Sequence, residues 1–209
     1  MNPLKPHSFV APGPQWIRKQ NDFPNSSPKE AYASTVTEQQ KYKVLKRLDE
    51  IEIREYEPCV LMQVSVRGDF MQAGSMGFGP LVRFISGANQ AGQKIAMTAP
   101  VIQEPKSTSQ HLISFVLPAG MNPNNVPTPT DSKVEMVPTP RHFAAVRRFG
   151  GGWNEHRFET EGAILLNAVA AQGLTSIGAI YWARFDPPWK PGFLKRNEAL
   201  IKIERPMAL

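Results

Sequence analysis

Twice along the chain, a run of alternating apolar residues ends at a glycine and gives way to a segment of helical periodicity. Two further apolar runs follow each time. The first instance begins at "PCVLMQVSVRGDF" and the second at "PRHFAAVRRFGGGW", and the two align with one gap. "KIAMTAPV" then holds the place in the first half that "AIYWARFDPP" holds in the second. Period-two alternation marks a strand covered on one face, and an apolar stripe at three- and four-residue spacing marks a helix covered on one side. A repeat of this kind restricts the fold strongly. Neither half has enough apolar residues to close a core alone, so both must share one sheet system. The expectation is an α+β fold: two pseudo-symmetric βαββ-type repeats forming one antiparallel-sheet domain with two main helices. A surface groove between the halves is then the expected place for a ligand.

Composition narrows the function classes. The 209 residues are 41% hydrophobic, enough for such a core, and carry a formal net charge of +6. Those charges are dispersed, with no Lys/Arg run of the kind that binds nucleic acid. They favour anionic partners weakly: carboxylated small molecules, phosphates or anionic membranes. A single cysteine, Cys59, excludes an internal disulfide. No apolar run approaches membrane-spanning length, and the N-terminus lacks the apolar core of a secretory signal. A soluble cytoplasmic protein is expected. Met1–Asn21 holds Lys5, Arg18 and Lys19 with no acid, so organelle import is the alternative. Residues 1–40 are rich in Pro, Ser, Asn and Gln and read as an N-terminal arm. Trp16, Ile17, Phe23 and Tyr32 give that arm a means of docking on a domain spanning 41–209.

Within the domain, "YKVLKRLDEIEIREY" reads as two strands with a turn near Asp49, and "CVLMQVSVRG" as a third. Asp69 is placed to cap a helix over "FMQAGSMGFGPLVRFISG". Its glycines and Pro80 oppose a helix by about 1 and about 3 kcal/mol each, which predicts a kink or break near Gly79 and a stop at Gly87. "KIAMTAPVIQE" and "HLISFVLP" read as strands. Pro100 ends pairing at an edge, and Thr98 satisfies a nearby backbone group. After a Pro/Asn-rich loop come strands at "KVEMVPTP" and "HFAAVRRFGG". Asn154 caps the second helix, which carries the stripe Phe158, Leu165, Leu166 and Val169 and closes at Gly173. Strands at "GAIYWARFDPP" and "ALIKIE" complete the chain.

Three stretches, in order, resemble the SOUL haem-binding protein family: "FISGANQAGQKIAMTAPV", "RRFGGGWNE" and "FDPPWKPGFLKRNE". The resemblance runs from Tyr42 to Glu204. It implies two βαββ repeats and binding of haem or another tetrapyrrole in a shallow, largely apolar surface groove. The same fold also serves effector-binding domains of bacterial regulators. Carried over residue by residue, the resemblance puts Phe78 and Val82 against the porphyrin face and Arg83 beside a propionate. It matches Lys190 to a second cation on the facing loop. A further family cation is replaced by Ser75. The set suits a porphyrin, which needs a flat apolar face and cations at its carboxylated edge. Taken singly, Phe78 and Val82 read equally as core residues, and Arg83 and Lys190 as solvated charges.

No iron ligand emerges. Where some family members carry a histidine, "IREYEP" has Glu55. His7, His111, His142 and His156 fall away from the expected groove and read as exposed or ordinary polar residues. Met71, Met76 and Met97 read as core, and Cys59 as a buried small residue. Haem is therefore expected to be held by contact and propionate pairing, without strong axial ligation and without a metal site in the protein. Enzyme signatures are thin. Glu155, Glu159 and Glu161 fit a charged helix face better than a general base. Gly150–Gly152 fit a tight turn better than a phosphate loop. The expected function is a haem carrier, buffer or scavenger. The alternatives are an enzyme on the same scaffold, by haem iron removal or small-molecule hydrolysis, and an effector-binding or interaction module.

Overall fold

The computed structural model describes residues 37–206. The expected arm falls almost wholly on residues 1–36, outside the described residues, as does His7. In chain order the elements are β1 (Tyr42–Arg47), β2 (Glu52–Tyr56), β3 (Cys59–Arg67), α1 (Phe70–Ile85), β4 (Val101–Ser107) and β5 (Gln110–Val116). Then follow β6 (Val134–Thr139), β7 (His142–Gly150), α2 (Glu155–Ala171), β8 (Ser176–Arg184) and β9 (Arg196–Ile203). All nine strands belong to one sheet, in the order β1-β2-β7-β9-β8-β4-β5-β3-β6, and neighbours run antiparallel.

The order reads alike from both sides of the β8–β4 contact. In each half the strand before the helix (β3, β7) pairs with the last strand (β5, β9), which pairs with the strand after the helix (β4, β8). The outer neighbours cross over. β2 leads into β3 yet pairs with β7, and β6 leads into β7 yet pairs with β3. Neither half therefore completes its own sheet, in keeping with the shortage of apolar residues in each.

Both helices lie over strands of their own half, α1 on β3 and β5 and α2 on β7 and β9. Alternation in β3 turns Val60, Met62 and Val64 toward α1, where Ala73, Leu81, Phe84 and Ile113 close one core cluster. Beneath α2, Phe158 is enclosed by Phe70, Phe149 and Trp182 at ring distances of 5.1–5.3 Å for its own pairs. Edge-to-face packing of this kind adds about 0.5–1.5 kcal/mol per pair to plain burial. A third cluster, with Tyr56, Val146, Tyr181 and Leu200, covers the sheet's other face.

Leu166, expected in the buried stripe of α2, is 42% exposed, and two further local expectations are corrected. α1 continues through Gly79 and Pro80 as one helix, so the expected break does not occur. Its glycines serve close approach: a Cβ at Gly77 would stand 2.4 Å from Ile113, and one at Gly74 would stand 2.3 Å from Arg184. Tertiary packing here outweighs the propensity cost. The second correction is that "KIAMTAPVIQE" becomes strand only from Val101. Residues 94–100 use their polar groups elsewhere. Ile95 N donates to Ile85 O at the end of α1, Thr98 Oγ1 donates to Val116 O, and Ala99 pairs with the backbone of Glu38 and Gln40. Thr98 thus satisfies a backbone carbonyl, as expected. The caps also agree: Asp69 accepts from Gln72 N at 2.7 Å, and Asn154 accepts from Arg157 N at 3.1 Å.

Candidate functional site

The buried side of α1 is Phe70, Ala73, Gly77, Leu81, Phe84 and Ile85. Beside it, Met71, Ser75, Phe78 and Val82 recur at spacings of four, three and four, which aligns them along one flank. Phe78 is 41% exposed, while its ring edge meets the buried Phe115 at 5.3 Å. Val82 is half-buried and packs on the cluster under α1. Arg83 continues around the helix into solvent, with Nη2 3.6 Å from Asp131 Oδ2. Exposed Met76 and Met97 add apolar surface; neither is the core residue expected of it.

Lys190 comes from the loop between β8 and β9. Its Nζ donates to Asp186 Oδ1 at 2.5 Å, and Asp186 also accepts from Arg196 N. Those contacts hold the Asp186 carboxyl below its usual range against the opposing effect of burial. The loop also presents Trp189 and Phe193, 83% and 82% exposed, together with Leu194. Gly192 seats the loop on Gly152, where an added Cβ would lie 2.9 Å from the backbone nitrogen. Its root meets α1, because Arg184 lies against Gly74. Phe78, Val82 and Arg83 thus stand on one helix, while Lys190 stands on a separate loop, where its contacts are with Asp186 and Pro187. A cavity of about 190 Å³ near Gln39, Cys59 and Leu117 and an open hollow of about 470 Å³ at Trp153 and Arg157 are lined by none of these four residues.

His111 is buried, beside Gln103 and the edge of the Phe70 ring. His142 stacks on Tyr56 at 5.1 Å. Burial pushes both imidazoles below their ordinary value, toward the neutral form. His156 is exposed on α2. Cys59 is half-buried, accepts from Gln40 Nε2, and has its thiol pushed up by burial. Among the described residues no group of three or more His, Cys, Asp or Glu is placed to hold a metal ion.

On the sheet face away from the helices lies an ionic network that sequence reading missed. Arg54 donates to both carboxylate oxygens of Glu198 at 2.9 and 3.1 Å, and to Glu52 at 2.8 Å. Arg196 donates to Glu198 Oε1 at 2.7 Å and lies over the Phe185 ring. Burial works against the Arg54 charge, yet the bonds to Glu198 hold it above the ordinary arginine value. The only cue in the sequence is a charge inside an apolar run, in "IEIREY" and in "RNEALIKIE".

A model of the family described as SOUL heme-binding protein matches residues 37–202. This chain belongs to that family. Among curated relatives, mouse Heme-binding protein 2 is 28% identical over 162 residues, 74% of this chain and 78% of the relative. Among solved structures, the EcmrR C-terminal domain superposes with a TM-score of 0.58 at 14% identity, covering 79% of this chain and 99% of that one. A hydrolase from Listeria innocua gives 0.51 at 10% identity, over 77% of this chain and 94% of that one. At such identities the two structures share the fold alone. For this SOUL-family chain, haem or tetrapyrrole binding is the general function its family and its mouse relative support. No helix among the described residues is long and apolar enough to cross a membrane.

Proposed function

We propose that the chain binds haem or a related tetrapyrrole on the outer flank of α1, as a carrier, buffer or scavenger. The observation that carries this reading is Phe78: a large aromatic left 41% exposed on a well-packed helix, in line with Val82 and beside the exposed Arg83. Isolated exposed apolar residues are ordinary, but an aligned aromatic and aliphatic pair with a cation at its end fits a flat carboxylated macrocycle. Trp189 and Phe193 give the β8–β9 loop an apolar surface to cover the ligand, with Lys190 as the second cation. The residues therefore fit the group. Its iron would supply any ligand exchange or redox chemistry, while the protein contributes apolar contact and propionate pairing. His111 lies in the core, His142 is stacked on Tyr56, and His156 is exposed on α2, so none of the described imidazoles is carried by α1 itself. We place the protein in the cytoplasm, where a soluble carrier meets its cargo.

The test is a fluorescence-quench titration with haemin and metal-free protoporphyrin IX. Contact-based recognition predicts affinities within about tenfold, a gap of about 1.4 kcal/mol. Phe78→Asp should abolish both. Haemin binding a hundredfold tighter than the free base would mean that an iron ligand dominates. Undiminished binding by Phe78→Asp would move the site off α1.

A further inference from the structure

We propose that Arg184 forms the floor of a carboxylate-binding recess between the first half of α1 and the start of α2. It deepens the tetrapyrrole reading in one respect only: a propionate arm is one of two sources for the carboxylate, a free small carboxylic acid being the other.

Arg184 is 6% exposed, and among the described residues its enclosed Nε and Nη2 have no hydrogen-bond partner. Among the described residues it enters no ion pair. The contrast with Arg54 is direct, since both are buried arginines at the sheet and Arg54 has Glu198 and Glu52 on its guanidinium. A buried charge without a counter-charge is costly and uncommon, and it calls for a reason. Burial pushes the Arg184 guanidinium down to about 10, so it remains positive at neutral pH.

Aromatic faces surround it. The guanidinium carbon lies 4.9 Å from the Trp153 ring, 5.3 Å from Phe70 and 5.5 Å from Phe158. Ring faces attract the cation but leave its in-plane N–H groups unused. Two neighbours are also unsatisfied. Trp153 Nε1, a donor, and Gln103 Oε1, an acceptor, are enclosed without partners among the described residues. Gln103 is neutral, so even a hydrogen bond to it would leave the charge uncompensated. Nη1 abuts Gly74, where a Cβ would stand 2.3 Å away. Gly74 is half-buried on α1, one turn before Phe78, so the absent side chain brings the cation up against the helix that carries the proposed groove.

The ligand class follows from shape and charge. A planar guanidinium fork pairs with a carboxylate through two parallel hydrogen bonds. One uncompensated positive charge matches one negative charge, and the Trp153 indole N–H offers a third donor. A phosphate dianion would bring a second charge that the aromatic walls cannot balance.

The experiment has two arms. In the first, sodium propionate is titrated against an equal series of sodium chloride. The indole 1H–15N signal of Trp153, assigned with Trp153→Phe, is followed in wild type and in Arg184→Met. A saturable shift with propionate alone, lost in Arg184→Met, supports the site. In the second, protoporphyrin IX and its dimethyl ester are titrated into wild type, Arg184→Met and Arg184→Lys. At least a tenfold loss of diacid affinity in Arg184→Met, with the ester unchanged and Arg184→Lys in between, supports it with propionate as the source. If wild type binds no porphyrin but the first arm succeeds, the tetrapyrrole reading fails and the carboxylate recess stands. If propionate produces no saturable shift and the Arg184 variants keep full diacid affinity, the proposal is overturned. Thermal melts of the ligand-free variants guard against a folding artefact. An unpaired charge predicts that Arg184→Met melts no lower than wild type. A lower melting temperature with unchanged binding would make Arg184 a structural post between aromatic rings, and would likewise overturn the site.

Discussion

Arg54 and Glu198, 144 positions apart, meet in the core through two hydrogen bonds of 2.9 and 3.1 Å with both side chains buried. The pair joins β2 to β9 across β7 and so ties the N-terminal hairpin to the last strand. Breaking one side of such a pair strands the other charge. Glu198→Gln keeps the shape but leaves Arg54 and Arg196 short of a counter-charge, and should cost about 3–5 kcal/mol in urea unfolding. Replacing both partners, Arg54→Met with Glu198→Leu, should cost clearly less than the two single changes added together. Additive losses in that double-mutant cycle would mean that the pair is not coupled.

Gly77→Ala separates propensity from packing. In an exposed helix this change would stabilise by about 1 kcal/mol. Here the new methyl meets Ile113 Cγ1 at 2.4 Å and Cβ at 2.5 Å. The branching carbon cannot rotate away, so α1 must lift from β5. A net loss of about 1–3 kcal/mol is expected, the scale of overpacking. A raised melting temperature would show that the helix sits more loosely on the sheet than the structure has it.

Those two predictions also mark where sequence reading succeeds and stops. Strands such as Cys59–Arg67 are legible because one face is covered and alternation survives in the residues. Asp69 and Asn154 are legible because capping is local chemistry. The continuity of α1 through Gly79 and Pro80 is not legible, since the partners that pack against its glycines, Ile113 at Gly77 and Arg184 at Gly74, come from strands elsewhere in the chain. Residues 94–100 look like strand by composition, yet their hydrogen bonds go to Ile85, Val116 and the chain near Gln39. Phe78, Val82, Arg83 and Lys190 are named only through family likeness, and Asp131, 48 positions from its partner Arg83, carries no local signal. Arg184 and Glu198 sit in apolar runs where a charge reads as a strand edge. What distinguishes them is a partner far along the chain, present for Glu198 and, among the described residues, missing for Arg184.

Stability should fall on mild acidification. His111 and His142 have pKa values lowered by burial from the ordinary 6.5. Below pH 6.5 the unfolded chain therefore takes up protons that the folded chain refuses, and the unfolding free energy rises with pH in that window. The contribution is fully present above 6.5. It is lost as pH falls toward the folded values, by at most about 1.4 kcal/mol per pH unit for each histidine. Urea melts between pH 5 and pH 7.5 should show this slope, and His111→Leu should flatten it. An unchanged slope in that variant would assign the proton uptake to other groups.

The last prediction concerns competition for the proposed propionate cations. Arg83 is 3.6 Å from Asp131, with Arg83 exposed and Asp131 half-buried at the surface, so the pair is weak and screened by salt. A ligand carboxylate must displace Asp131 or share Arg83 with it. Asp131→Asn keeps the side-chain oxygen that accepts from Lys133 N and removes only the charge. It should raise the affinity for protoporphyrin IX two- to fivefold at low ionic strength, about 0.4–1 kcal/mol, the range of exposed pairs. The gain should fade at high salt and be absent for the dimethyl ester, which brings no charge. Arg83→Glu should act in the opposite sense and more strongly, by about 1–3 kcal/mol, because it replaces an attraction with a repulsion. Lys190 is held more tightly, by an Asp186 that is also fixed by the backbone of Arg196, so Lys190→Ala should cost less than Arg83→Glu. The measurement is one titration series at two salt concentrations. Equal diacid affinity in wild type, Asp131→Asn and Arg83→Glu would leave Arg83 as a solvated surface charge, and the macrocycle's carboxylates would have to be sought elsewhere on the fold.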